Sequence, residues 1–270
     1  VTRYTWRTGV LEALMLVVAI VFAFPFYVLV NLSVRQVNDP TSPLVPTLTP
    51  TFENFVAAWN EADLASAIFN SLTVTVFSVV IVVAVSAMAS FPLVRMTTRL
   101  SRTTYWLVMF GLLLPFQVAL IPLYTTIRDL HLLGTTWSLV IFYAGLQVPF
   151  SVFLYTGFLR ALPRDYEEAA QVDGAGPFTT FWRVVFPMMR PVTGTVIILN
   201  AIFVWNDFMT PLLYLSGSGS QTIPVALFSF VGEYAANWPV VFAGLIIGIA
   251  PILFIYFLLQ KSIIQGFTGG

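Results

Sequence analysis

Six stretches of about twenty residues, each with little or no charge, run through this chain at approximately 10–30, 72–91, 105–127, 137–159, 192–215 and 240–259. A bilayer core about 30 Å thick is crossed by roughly 20 helical residues, so every stretch is long enough to span lipid. The runs are continuously apolar instead of alternating, which favours helices over a barrel. The first is longer than the apolar region of a cleaved signal and lacks a clear small-residue cleavage site, so it reads as a retained span. Composition agrees: 58% of the 270 residues are hydrophobic and 9% are charged, against about 25% charged in ordinary soluble domains. The expected fold class is an all-α polytopic membrane protein with six transmembrane helices, forming a single transmembrane domain over 1–270.

The few charges orient it. Arg3 and Arg7 precede span one, Arg95, Arg99 and Arg102 follow span two, Arg160, Arg164, Arg183 and Arg190 lie between spans four and five, and Lys261 follows span six. Only Arg35 and Arg128 fall on the other side, so the positive-inside rule places both termini and the 160–191 loop in the cytoplasm. Basic and acidic residues balance at 12 each, which leaves no cationic footprint for nucleic acid. With no cysteine, disulfides, thiolate zinc sites and iron–sulfur clusters are excluded. Pro25, Pro115, Pro122, Pro149, Pro211 and Pro251 fall in or near spans, predicting kinks, most of all in span three with its two prolines.

The 160–191 loop is too long for a turn and carries its own folding signals. Asp165, with Glu168 three residues on, forms a capping-box pattern, and Gly174 is placed to stop that helix in a left-handed turn. Pro177 suits the first turn of a second helix. Phe178, Phe181, Trp182 and Val185 recur at helical spacing, giving that helix one apolar face until Pro187 ends it. Such a pair either docks a partner, with small Ala169 and Ala170 letting the backbone sit deep in a cleft, or rests on lipid headgroups.

Glu168-Ala169-Ala170, Gly174 four positions later, and Val184-Val185-Phe186-Pro187 resemble the coupling-loop signature of permease subunits of bacterial ABC importers. Val184 and Phe186 replace the family's Ile and Leu. The resemblance extends to Thr51-Phe-Glu-Asn-Phe55, Asn70-Ser71, Trp205-Asn-Asp-Phe208 and the tail from Gln260-Lys261 to Gly266-Phe267-Thr268-Gly269. These features are similar to the carbohydrate-uptake branch, specifically the six-span partner of the maltose-type permease pair. The resemblance implies a multi-pass protein of the bacterial cell membrane. It implies partners: a second homologous permease, two ATPase subunits and an extracytoplasmic solute-binding protein. ATPase coupling would fall to Glu167, Glu168, Ala169, Ala170, Asp173, Gly174 and Pro187. The chain has no Gly-x-x-x-x-Gly-Lys-Ser/Thr loop, and its only lysine is Lys261; it therefore is not itself an ATPase and binds no cofactor, with ATP and Mg expected on the partner ATPases.

Asp207 is the one acid deep inside an expected span, where a central Asp costs about 2.5–3.5 kcal/mol, so it should face protein or water. Trp205, Asn206 and Asp207 suit a sugar, an aromatic face for its C–H surface and polar groups for its hydroxyls; they equally suit an interhelical lock. His131, the only histidine, reads as a solvated outer-loop residue with no second ligand for a metal. Phe52, Phe55, Val56 and Trp59 are expected to pack on the outer ends of the spans. Ser216-Gly-Ser-Gly-Ser220 reads as a hinge before an apolar-rich loop, Ile223 to Trp238, that either probes the binding protein or merely connects. Other readings are an importer of a non-sugar solute (a polyol, glycerophosphodiester or peptide), a carrier driven by Asp207 protonation, and an intramembrane enzyme, for which no nucleophile or metal set is visible.

Overall fold

Apolar sequence becomes helix in this chain until a proline or a polar side chain interrupts the backbone ladder. The computed structural model describes residues 5–233 and 237–268; Arg3, Tyr234 to Ala236 and Gly269, which enter the readings above, lie outside them. The first helices in chain order are α1 (Trp6–Ser33), α2 (Glu53–Glu61), α3 (Leu64–Arg95), α4 (Arg99–Gly111), α5 (Phe116–Asp129) and α6 (Thr136–Ala161). There follow α7 (Asp165–Val172), α8 (Pro177–Thr180), a π-helical turn (Phe181–Val185), α9 (Phe186–Met188), α10 (Arg190–Asn206), α11 (Met209–Tyr214), α12 (Ile223–Glu233) and α13 (Trp238–Thr268). No strand occurs among the described residues.

Four of these, α1, α3, α6 and the Trp238–Leu258 part of α13, are long and apolar enough to cross a bilayer unbroken. The stretch 105–127, expected as one span, is instead two helices, α4 and α5, bent by 98° at Leu112 to Pro115. Pro115 is the cause: it forces Leu114 out of helical conformation and stands as the extended residue before α5, at φ −63° and ψ 117°. The stretch 192–215 is likewise divided, because Asp207 is extended (φ −69°, ψ 127°) and a short helix, α11, follows. Pro25, Pro122, Pro149 and Pro251 sit inside helices that continue through them, as does Pro92. Counting each bent pair as one crossing brings the number of candidate spans to six.

The chain forms two compact units, residues 1–65 with 226–250, and residues 66–225 with 251–270. In the first, the apolar stretch of α1 is wholly exposed, and polar order begins where that helix ends. Buried Asn31 donates to the carbonyls of Pro43 and Val45 at 2.8 and 3.0 Å and accepts from the Thr47 N–H. Arg35, 2% exposed, donates to the carbonyls of Thr41, Ser42 and Val45. Asn54 donates to the carbonyls of Ser33 and Arg35 at 2.9 and 2.7 Å. The 34–52 segment is thus wound around three polar side chains. This geometry also reverses the reading of α2: Asn54 and Ala58 face inward, while Phe52, Val56 and Trp59 are exposed. Pairing two backbone carbonyls outweighs burying the apolar stripe.

In the second unit, α6 is the central helix, with α4, α5, α10 and α11 packed on it. Its seam with α10 holds polar contacts at several levels. Tyr143 donates to Asp207 Oδ2 at 2.9 Å, Asn200 Nδ2 donates to Ser151 Oγ at 3.1 Å, and the Tyr155 hydroxyl donates to Thr193 Oγ1 at 3.2 Å. Apolar clusters fill the intervals, one around Tyr143, Phe142 and Tyr214, the other around Tyr155, Leu159 and Phe181.

Asn54→Leu should cost about 1–3 kcal/mol, since two buried carbonyls lose their donor. The expected signs are a lower thermal midpoint in detergent and faster proteolysis within 36–50, with the exposed Glu53→Gln as an unchanged control.

Candidate functional site

The residues that resemble the coupling-loop signature lie on α7 and the helices after it. Asp165 does not cap α7 from outside, as the sequence suggested. It is the first helical residue, Arg164 holds the cap position without a side-chain bond, and the Arg164 carbonyl accepts from the N–H groups of Glu167 and Glu168. Asp165, Glu167 and Glu168 all fall in the first turn, where their charge favours the helix dipole. At the other end Gly174 has φ +83°. Its N–H donates to the Gln171 carbonyl at 3.0 Å, and the Ala175 N–H reaches back to Ala170 at 2.9 Å. That pair of bonds is a Schellman stop, which needs a residue without Cβ strain at the left-handed position.

α7 is fastened from one side. Glu167, 7% exposed, accepts from Arg95 Nε at 2.8 Å and is paired with Arg95 Nη2 at 2.7 Å; the same Nη2 donates to the Leu162 carbonyl at 3.2 Å. The 160–191 loop is thereby clamped to the last residue of α3. Glu168, Ala169, Asp173 and Gly174 stay exposed, and Ala170 is half-buried, so the helix offers one face while Glu167 is held within the chain. The resemblance groups Glu167 with the coupling residues; its partner in the structure sits 72 residues upstream, and the loss of water around both charges strengthens their attraction.

Beyond Gly176, Pro177 takes the first position of α8. The following π turn inserts one residue into the register and splits the expected apolar face. Phe181 and Val185 turn into the core with Ala87, Tyr155 and Met189, whereas Phe178 is exposed. Trp182 and Phe186, with rings 5.1 Å apart, line an apolar groove of about 430 Å³ together with Val76, Val79 and Val83 of α3. Pro187 does not end the helix; α9 runs through it to Met188, and the 74° bend into α10 falls at Met189.

The Trp205–Asp207 trio is not gathered onto one surface. Trp205 is 3% exposed, Asn206 is exposed with its Nδ2 bonded to the Ile202 carbonyl of its own helix, and Asp207 is half-buried. The Asp207 side chain reaches another helix. Its Oδ2 accepts from Tyr143, while Oδ1 accepts from the N–H groups of Met209 at 3.1 Å and Thr210 at 3.5 Å. His131 is exposed at the end of α5, with φ +56°. The segment read as a hinge is tied down: Gly217 and Gly219 take left-handed turns, Ser71 Oγ accepts from the Ile223 N–H at 2.9 Å, and Asn70 donates to the Gln221 carbonyl.

Residues 81–268 match the family model described as the binding-protein-dependent transport system inner membrane component. The chain belongs to this family. The permease is 31% identical over 262 residues to the melibiose/raffinose/stachyose import permease protein MelC of Bacillus subtilis, covering 97% of this chain and 95% of MelC. It is 32% identical over 273 residues to the multiple sugar-binding transport system permease protein MsmG of Streptococcus mutans, covering 99% and 96%. Its fold resembles that of a chain in the crystal structure of a bacterial ABC transporter involved in the import of the acidic polysaccharide alginate. The TM-score there is 0.84 at 22% identity, over 97% of this chain and 100% of the other.

For the permease, the clamp on α7 has a measurable signature. Arg95→Met and Glu167→Met should each destabilise by about 3 kcal/mol, because each strands a desolvated charge, while the double variant recovers most of the loss. Thermal unfolding of the four proteins gives the coupling directly.

Proposed function

We propose that this permease forms, with a second homologous permease, the membrane path of an ATP-driven importer for an oligosaccharide handed over by an extracytoplasmic binding protein. The reading of the substrate is supported by relatives named for raffinose and multiple-sugar transport. Six spans with both termini in the cytoplasm are proposed from the distribution of cations. Two ATPase subunits, carrying ATP and Mg, would each grip one permease loop.

The observation that carries the mechanism is α7 held by Arg95 and stopped by Gly174, with Glu168, Ala169, Ala170 and Asp173 left for the ATPase. A helix fastened at its first turn and sharply ended at its last transmits a push as displacement, whereas a loose loop absorbs it. Closure of the ATPase pair would move α7, and the clamp would pass that movement to α3, while α8 to α10 would carry it through Pro187 and Met189 to the α6 seam. Coupling then arises because α7 meets the ATPases differently in the two states.

Asp207 serves in this reading as the lock of the α6–α10 seam and the cap of α11, with Trp205 packed inside and Asn206 bonded within its own helix. The carrier reading, in which Asp207 takes up and releases a proton, makes a different prediction. Asp207→Asn should lower thermal stability while uptake stays ATP-dependent and indifferent to a proton gradient; a carrier would lose its gradient response.

The complex, reconstituted with its binding protein, should show ATPase stimulation by one or more oligosaccharides from a panel that also contains polyols, glycerophosphodiesters and peptides. Stimulation by a non-sugar alone would overturn the substrate. Gly174→Val should insert normally and lose uptake: nothing lies within 4 Å of the added Cβ, so the cost is the roughly 1–2 kcal/mol of left-handed backbone strain, enough to unwind the stop. Wild-type uptake by that variant would remove α7 from the mechanism.

A further inference from the structure

At the α3–α4 corner, a concave site of about 290 Å³ has a lining unlike the apolar groove beside Trp182, with polar and apolar walls together. Arg102 and Arg160 stand on it with Thr97, Thr98 and Trp106. Neither arginine has an ion-pair partner among the described residues, although Arg95, at the end of α3, has one. Arg160 is held in place by stacking, its guanidinium 4.9 Å from the centroid of the Tyr105 ring. Ser101, 8% exposed, ties the corner together by donating to the carbonyls of Pro92 and Leu93. The Thr98 side chain caps α4, so the positive end of that helix dipole also points to this corner.

Past its polar first turns, α4 exposes large apolar side chains. Leu100, Trp106, Leu107 and Phe110 are 77%, 65%, 67% and 58% exposed. A helix of this kind has hydrocarbon beside it, and the exposed Trp106, one turn beyond Arg102, marks the depth of the headgroups. We propose that this cavity is a binding site for the phosphodiester headgroup of an anionic phospholipid of the inner leaflet. The two guanidinium groups take the phosphate, which they match in bidentate geometry, and Trp106 with Leu93 and Met96 takes the glycerol and upper acyl stem. The leaflet assignment rests on the topology proposed above. The acyl chains would lie along the exposed face of α4, which a soluble anion or an acidic protein segment has no means to cover. Because the site joins the ends of α3, α4 and α6 next to the Arg95 clamp, an occupied site braces the base of α7.

The test uses the complete importer in nanodiscs of phosphatidylcholine with graded phosphatidylglycerol, with native mass spectrometry counting the phosphatidylglycerol retained by the complex. Arg102→Gln and Arg160→Gln should each raise the phosphatidylglycerol fraction needed for half-occupancy about fivefold. Arg102→Lys with Arg160→Lys should keep most of the binding, and Arg99→Gln, on the same turn but outside the cavity, should keep all of it. Equal retention by the Arg102→Gln/Arg160→Gln protein overturns the site, and an equal loss in Arg99→Gln shows diffuse attraction instead. Protection by millimolar inorganic phosphate equal to that by the lipid would replace the lipid with a soluble anion, and loss of the ATPase subunits from the double variant would replace it with a protein contact. Uptake measured separately keeps the two readings apart: lipid retained by a complex that transports nothing leaves the site standing and removes the importer.

Discussion

In hydrocarbon a peptide N–H has no water to turn to, so each place where a span leaves the helix must bring its own acceptors. This chain leaves the helix inside its apolar runs at Leu112 to Pro115, at Met189 and at Asp207 to Phe208. Each break is provided for differently. Pro115 has no N–H to satisfy; the Met189 N–H finds the carbonyls of both Val185 and Phe186; the Asp207 carboxylate accepts from Met209 and Thr210. The acid that looks out of place within a span is therefore part of the solution to a backbone problem, and its second oxygen joins that solution to α6 through Tyr143.

The same economy of polar groups organises the ends of the helices. Hydrophobic residues make up 58% of the chain, and several buried polar side chains hold backbone: Asn31, Arg35 and Asn54 gather the 34–52 segment, and Arg95 holds Glu167 and the Leu162 carbonyl together. Ordered segments result at both places. In the proposed mechanism that order matters, because a displacement at one end of α7 would reach α3 only if the junction did not yield. The bend at Met189 and the polar seam between α6 and α10 would continue that proposed path with directional contacts, which suit two discrete arrangements better than gradual deformation.

Much of this was legible in the residues. Length and apolarity announced the helices, Pro115 announced the break in the third run, and Gly174 announced the end of α7 with its left-handed turn. The spaced set from Glu168 to Pro187 pointed to the right family before any coordinates. What misled was periodicity read one helix at a time. Phe178, Phe181, Trp182 and Val185 share a face only if the helix is regular, and the π turn at Phe181–Val185 adds a residue to the register. Phe52, Val56 and Trp59 form a stripe, yet α2 turns Asn54 inward because two carbonyls at the end of α1 require a donor.

By itself the sequence determined that the chain is helical, bound to lipid and equipped with a polar loop of a recognisable kind, since those properties follow from local composition, spacing and backbone preference. Tertiary structure decided which charge meets which. Arg95 and Glu167 are 72 positions apart and Tyr143 and Asp207 are 64 apart, and no local rule distinguishes Glu167 from Glu168 or Arg95 from Arg99. The difference is desolvation: a charge becomes structural when packing removes water from it and brings a partner within 3 Å, and packing depends on every helix at once.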